Sequence, residues 1–428
     1  MNILMLSWEY PPRVVGGIAR VVKELSKELS KNGHNVYVVT YREGNAKYFE
    51  KDENGVNVYR FDCSEINALD FTSWILHMNF EMVSLASRIV QKEKIDIIHS
   101  HDWLTAFAGK TLKHSFNIPL VSTIHATEYG RNGGIYTKEQ KYINDIEWLL
   151  TYESQKIIVN SNFMKREAAR IFNAKFEKID VIPNGIDLDK FDGFEKDLDF
   201  RRNYARDNEK IILTIGRMVN EKGVQHLISA MPKILREYQD AKLVVAGKGP
   251  MLDELKQIAY NIGVAHKVYF TGYLSGDNVQ KMYKNSDIAV FPSTYEPFGI
   301  VALEGMLSGV PTVVSDIGGL DEIVKHGLTG LKSYAGNSNS IADSVIALLK
   351  DEKLSKRISE NAKKEILENY SWKEIAKSTL DTYNSAIRIF NKDFEKEEDK
   401  IDKTEKTNIK EKIQKLINIK NSLEAFNN

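Results

Sequence analysis

A single cysteine, Cys63, is all the thiol chemistry the chain carries in 428 residues. That excludes an intrachain disulfide framework and a multi-cysteine metal site, and it fits a reducing compartment. An excess of charge of either sign is also lacking: 59 Lys and Arg stand against 59 Asp and Glu. The balance gives no support to a dedicated nucleic-acid binder. No stretch reaches 18 uninterrupted apolar residues, so no transmembrane segment is expected. The opening residues, Met1 to Ser7, have neither the basic flank nor the long apolar stretch of a secretory signal, which makes a cytoplasmic location the expectation. No G-x-G-x-x-G follows the first apolar run, so the dinucleotide fingerprint is missing there. No repeat at fixed period is found. Gln is sparse while Lys, Glu and Ile abound, a profile that thermophily and coding bias both produce.

What is present is ample apolar content, 42% of the chain, and a length that predicts two α/β domains with a tail. Residues 3–6 read as a buried strand, broken by Pro11-Pro12 and Gly16-Gly17. Ile18, Val21, Val22, Leu25 and Leu29 share one helical face, Gly33 stops that helix, and 36–40 is the next strand. This is a βαβ unit with parallel strands. Residues 54–61 read as a strand or hairpin arm. Residues 71–91 read as an aromatic-rich stretch passing into a helix, with Trp74, His77, Met78 and Phe80 assigned to packing. Strands at 95–99, 119–124, 156–160 and 179–183 each run into polar residues and a helix-start signal. That places a ligand site at their carboxyl ends. Residues 188–209 are charged and read as a linker with an entry helix. A second series follows, with strands at 211–216, 241–246, 268–271, 287–291, 311–315 and 330–331. Ser371 and Glu374 have capping-box spacing for a helix to about Phe390. Residues 391–428 hold nine basic and nine acidic side chains, with Ile409, Ile413, Leu416 and Leu423 near heptad spacing. They read as a solvated helix, a self-association element or a disordered tail. The domains are therefore 1–187 and 188–371, followed by a helix to 390 and the tail.

The stretch from Phe291 to Glu304, F-P-S-T-Y-E-P-F-G-I-V-A-L-E, organises the second half. It reads as strand end, turn and helix start, with Glu296 in the turn and Glu304 in the helix. Carboxylates there can accept from sugar hydroxyls, and a helix start can hold phosphate; a solvated turn with a capping glutamate is the competing reading. Arg217 and Lys222, five residues apart in a loop after a strand, suit a diphosphate. Two surface charges would look the same. Gly16-Gly17 reads either as an ordinary turn or as a place where backbone meets a phosphate. His125, at a strand end, can donate to a sugar hydroxyl or simply pack. His99 and His101 are discounted as a metal pair, because no third ligand is evident. Gly109 and Cys63 are given no role. The pieces describe a nucleotide-sugar enzyme, or a two-domain binding protein that closes on its ligand without chemistry.

Several segments carry a resemblance. Glu296-Pro297-Phe298-Gly299 through Glu304 holds two acids with seven residues between them, Gly216-Arg217 is followed by Glu221-Lys222-Gly223, and 182–187 reads Ile-Pro-Asn-Gly-Ile-Asp. Over about residues 1–390 the chain resembles the retaining glycosyltransferases with two facing Rossmann-like domains across a deep cleft, the GT-B architecture. It looks closest to glycosyltransferase family four and the bacterial and archaeal glycogen synthases. Trp8-Glu9-Tyr10-Pro11-Pro12 with Gly16-Gly17, His101-Asp102-Trp103, Thr123-Ile124-His125 and Gly318-Gly319-Leu320 resemble the synthases' segments.

The resemblance implies that Arg217 and Lys222 bind the donor diphosphate. Glu304 would take the ribose, while Glu296 and His125 contact the transferred sugar. Gly16, Gly17, Gly299, Ile300 and Gly319 would offer backbone N–H groups, with Val301 beside them at the donor. Tyr273 and Leu274 would flank the base, and His101, Asp102 and Trp103 would lie on the acceptor side. The helix after Trp372 would cross back onto the first domain. No divalent metal and no further cofactor are implied beyond the nucleotide-diphosphate sugar. The synthases place a lysine two residues before the glycine pair; here Val14 stands there, with Arg13 one residue earlier. That departure favours UDP-glucose over ADP-glucose. The implied product is an α-glucan, and transfer to a lipid or other small acceptor is the alternative. The oligomeric state is open.

Overall fold

The computed structural model describes residues 1–63 and 68–393; the expectations for 394–428 lie outside them. Among the described residues the chain builds two sheets in succession. The first contains β1 (Asn2–Leu6), β2 (Asn35–Tyr41), β3 (Phe49–Lys51), β4 (Asn57–Phe61), β5 (Ile97–His101), β6 (Leu120–Ile124), β7 (Lys156–Val159) and β8 (Ile179–Val181), in the order β3-β4-β2-β1-β5-β6-β7-β8. Only β3 runs antiparallel, against β4. The second contains β9 (Lys210–Ile215), β10 (Ala241–Ala246), β11 (Val268–Gly272), β12 (Ile288–Phe291), β13 (Thr312–Ser315) and β14 (Leu331–Ser333), in the order β11-β10-β9-β12-β13-β14, parallel throughout.

Parallel strands joined by helices need both faces covered, so their sequences are apolar runs rather than alternations. β5, β6, β12 and β13 are buried at every residue. Each sheet accordingly has two apolar clusters, one per face. Strand order reverses beside β1 in the first sheet and beside β9 in the second. At such a reversal the flanking loops diverge and leave a crevice at the strands' carboxyl ends.

Two local readings differ from the structure, and one strand lies where none was read. The short β3 is not signalled by any apolar run; it exists because 57–61 folds back on it as a hairpin. Phe71–Val90 is helical throughout, with Asp70 capping it by accepting from the Ser73 N–H. Gly109 has a role after all: a Cβ there would lie 2.4 Å from Ser100 Oγ. Its helix, Ala106–Phe116, therefore seats directly on β5.

The chain passes between the two halves twice. The first passage follows Ile182, and the second enters the final helix, described from 372 to 393. The passages lie side by side: Ile186 bridges Ser371, and the Ile186 N–H donates to the Tyr370 carbonyl. A Cβ on Gly185 would meet the Trp372 ring at 2.6 Å. Trp372, Ile375, Ala376, Tyr383 and Ala386 of the final helix pack with Ile3, Met5 and Ile97 of the first sheet and with Val22 of the helix Ile18–Lys31.

Candidate active site

Each sheet's crevice faces the other, and the loops at the strand ends meet. In the second half, the loop after β9 turns at Gly223, where φ is +68 and a Cβ would lie 1.9 Å from the Pro292 carbonyl oxygen. Only glycine lets this loop lie on the end of β12. The Thr294 N–H donates to the Glu221 carbonyl and locks the two loops together. Lys222 is thereby delivered to Glu296, Nζ to Oε2 at 2.6 Å, and Ser293 Oγ donates to the same oxygen at 3.2 Å. A carboxylate bonded to a cation and a hydroxyl is fixed in orientation as well as paired. Arg217, in the same loop, is exposed, and its guanidinium has no partner among the described residues.

The helix Ile300–Ser308 begins at Gly299, with φ +112, and the Ala302 N–H donates to the Gly299 carbonyl in its first turn. Ile300 and Val301 thus stand at its open, electropositive end. Gly17, the residue preceding the helix Ile18–Lys31, faces that end from the first half: a Cβ on it would lie 3.4 Å from Ile300 Cδ1. Not all the glycine N–H groups expected for phosphate are free. Gly16 donates to Glu9 Oε2 at 2.8 Å, and Gly319 donates to the Glu296 carbonyl at 2.8 Å. Buried Glu9 also takes the Val15 N–H at 2.6 Å, so it shapes the glycine loop from beneath. Tyr273 is exposed and Leu274 half-buried, just past β11.

Glu304 is buried and already occupied. Arg20 Nη1 lies 3.2 Å from its Oε1, Lys190 Nζ reaches the same oxygen, and the Tyr283 hydroxyl donates to Oε2 at 3.3 Å. Arg20 comes from the first half and Lys190 from the linker. Sequence reasoning missed both, since neither lies near Glu304 in the chain.

On the first half, His125 sits at the end of β6. Its backbone N–H donates to Asp102 Oδ1 at 2.7 Å, and its Nε2 lies 3.1 Å from His101 Nδ1. Asp102 has φ 61 and ψ 173, a conformation costly for any residue but glycine. His101, Asp102 and Trp103 are all buried, and the first two bond His125 from behind. Burial lowers the His125 pKa, although Asp102 opposes the shift. Burial depresses His101 further, and it holds His99 at about 3. All three rings are neutral at pH 7.

The two halves touch through a clasp that the sequence did not announce. Tyr295, next to Glu296, inserts its ring over Gly130, where a Cβ would lie 2.3 Å from ring atoms. Its hydroxyl donates to Glu167 at 2.8 Å and accepts from the Thr127 N–H at 3.3 Å. Ser161 Oγ donates to the Pro297 carbonyl at 2.7 Å. Glu322 accepts the N–H groups of Asn162 and Phe163, at 2.9 and 2.7 Å, at the start of the helix Asn162–Phe172. Among the described residues no group of three or more His, Cys, Asp or Glu is arranged to hold a metal ion, and no helix is long and apolar enough to cross a membrane.

Two parallel-sheet α/β domains meeting at the carboxyl ends of their strands are the GT-B fold of glycosyltransferases. The second half, residues 195–365, matches the model of glycosyl transferases group 1, and residues 15–190 match that of glycosyltransferase family 4. An uncharacterized glycosyltransferase of Methanocaldococcus jannaschii is 46% identical over 91% of this chain and 99% of its own length. A glycogen synthase of Mycobacterium tuberculosis is 33% identical over 91% of this chain and 95% of its own. The chain belongs to glycosyltransferase family 4 and is a transferase enzyme. Among solved structures it is similar to sucrose-phosphate synthase from Thermosynechococcus elongatus, with TM-score 0.77, 23% identity, and coverage of 90% of this chain and 98% of that one. Anabaena HepE, solved with UDP and glucose, has TM-score 0.73 at 20% identity, covering 90% of this chain and 100% of that one. At these identities the likeness is one of fold.

Proposed function

We propose that the enzyme transfers glucose from a nucleotide-diphosphate sugar to an α-glucan with retention of anomeric configuration. The observation that carries this reading is the Lys222–Glu296 pair, with unpartnered Arg217 in the same loop, set against His125 and the glycine loop of the facing half. In this reading the donor diphosphate lies between Arg217, Lys222 and the open end of Ile300–Ser308. Its ribose takes Glu304, displacing Arg20 and Lys190. As the bond from anomeric carbon to phosphate oxygen breaks, the two cations neutralise the leaving oxygens. The acceptor hydroxyl attacks from the same face and passes its proton to the departing diphosphate. Glu296 orients the sugar and Lys222, and it forms no glycosyl bond, unlike the nucleophile of a retaining glycosidase. The clasp excludes water that would hydrolyse the donor.

UDP-glucose is favoured over ADP-glucose. Val14 supplies no cation before the glycine pair. Arg13 is diverted: its guanidinium sits 4.9 Å from the Trp8 ring and 5.0 Å from the Tyr41 ring, and it pairs with Glu43 at 3.5 Å. The glucan reading draws on the 33% identical glycogen synthase. A small acceptor is the second reading, favoured by the burial of His101, Asp102 and Trp103, which leaves those residues no surface for a polymer.

The deciding experiment measures released nucleotide diphosphate for UDP- and ADP-glucose against glycogen, maltooligosaccharides, small sugar acceptors and lipid extracts. NMR then reads the anomer of the product. Turnover with UDP-glucose and glycogen giving an α-linkage is expected. Transfer only to a small acceptor or lipid removes the glucan reading, and an inverted product removes retention.

A further inference from the structure

Behind His125 lies a column of buried aromatic side chains with no equivalent in the transfer chemistry described above. Tyr383, on the final helix, bonds His99 Nδ1 at 2.7 Å; His99 Nε2 bonds Thr123 Oγ1 at 2.7 Å. The His99 and His101 rings lie 4.1 Å apart, and His101 then meets His125. His99 and His101 are fully buried.

Hydrogen-bond accounting fixes where the protons are. One proton bridges His101 Nδ1 and His125 Nε2. If His125 Nε2 carried it, neutral His101 would have to keep its own proton on Nε2. That atom is buried and has no partner among the described residues. A buried, orphaned N–H is the costlier defect; an unfilled acceptor lone pair is tolerated more often. The proton therefore sits on His101 Nδ1 and is donated to His125 Nε2. Neutral His125 must then carry its own proton on Nδ1, a nitrogen with no partner among the described residues.

We propose that His101 is a positioning residue that holds His125 in its Nδ1–H tautomer, so that this N–H donates to a hydroxyl of the transferred sugar. The sugar contact rests on the function proposed above; the tautomer does not. With the opposite tautomer His125 would offer the sugar only an acceptor. Tyr383 and Thr123 hold His99, and His99 backs the His101 ring, so the final helix reaches the site through this column.

The test uses the full chain labelled with 15N-histidine, read by long-range 1H–15N correlation at pH 7.5, where the two neutral tautomers give distinct nitrogen shifts. His125 is assigned by the signal lost in His125→Gln. The expected result is a proton on His125 Nδ1. In His101→Leu the His125 signal should move towards the Nε2–H form, and kcat should fall roughly five- to tenfold, the worth of one hydrogen bond. His101→Asn, whose amide can still donate from the place of Nδ1, should restore both. An Nε2–H tautomer in the unaltered protein overturns the inference whatever the activity. So does a His101→Asn enzyme with the tautomer and turnover of His101→Leu. If the tautomer is as stated and switches in His101→Leu while turnover stays the same, the sugar contact of His125 fails and the positioning of the ring stands.

Discussion

At the scale of single residues, the site's charges hold one another in place before any substrate arrives. Lys222 neutralises Glu296 in a setting with little water, so its removal affects both chemistry and structure. For Lys222→Ala we expect kcat to drop about 10²- to 10³-fold, the size seen when one preorganised donor to a developing charge is lost. The melting temperature should shift much less, because Ser293 still donates to Glu296; normal turnover in K222A would remove Lys222 from its place beside the leaving group. His99 makes a pH prediction of definite sign. Its native pKa is near 3 because burial opposes the charged ring, while in the unfolded chain it is about 6.5. Between those values the unfolded form takes up a proton that the folded form refuses. Its contribution to stability is fully present above about pH 6.5 and is lost as pH falls, by up to about 1.4 kcal/mol per pH unit. Denaturant titrations from pH 7 to pH 4.5 should show a flatter decline for His99→Gln than for the parent, and equal slopes would refute the assignment.

At the scale of elements, the turn between β12 and the helix Ile300–Ser308 does two jobs. It brings Glu296 to Lys222 and sends Tyr295 into the opposite half. Its sequence reveals only the first. Glu296, Glu304 and the glycine helix start are local features, and so are the Arg217–Lys222 loop and the strand-end His125; their places in turn, helix, loop and strand end were legible because each motif lies within a few consecutive residues. The clasp was not legible. Tyr295 reads as one more aromatic until Gly130, Thr127 and Glu167 are brought to it by a fold that spans more than a hundred residues of chain. Arg20, Lys190 and Tyr283 around Glu304 escaped for the same reason, and β3 because it borrows its strand character from a partner. The clasp is testable by complementarity. Gly130→Ala places a methyl group where the Tyr295 ring lies, so kcat/KM should fall at least tenfold as the halves fail to seat. Tyr295→Ala removes the hydroxyl bonds and should lower kcat/KM as well. The double variant should be less impaired than the sum of the two, the non-additivity expected of residues in contact. Strict additivity would mean that the ring and the glycine do not meet in the working enzyme.

At the scale of the whole molecule, two α/β layers are read readily from the alternation of apolar runs with polar strand ends. Their mutual arrangement is not, because it depends on side chains that meet only after both halves have folded. Glu322 is the clearest case: it caps a helix of the other half, supplying acceptors to N–H groups that would otherwise point at solvent. Glu322→Ala should therefore loosen the closed arrangement without unfolding either half. Small-angle X-ray scattering of the variant should give a larger radius of gyration than the parent in the absence of donor, and the difference should shrink when donor is bound. An unchanged radius would show that the remaining cross-contacts suffice.

The side-by-side passages at Ile186 and Ser371 have one more consequence. Two halves tethered at a pair of adjoining points can swing about them like the covers of a book, but cannot slide past one another. The rim farthest from that spine then travels most for a given swing. An enzyme jointed in this way can admit a bulky guest by a modest turn, and it returns to the same alignment each time it shuts.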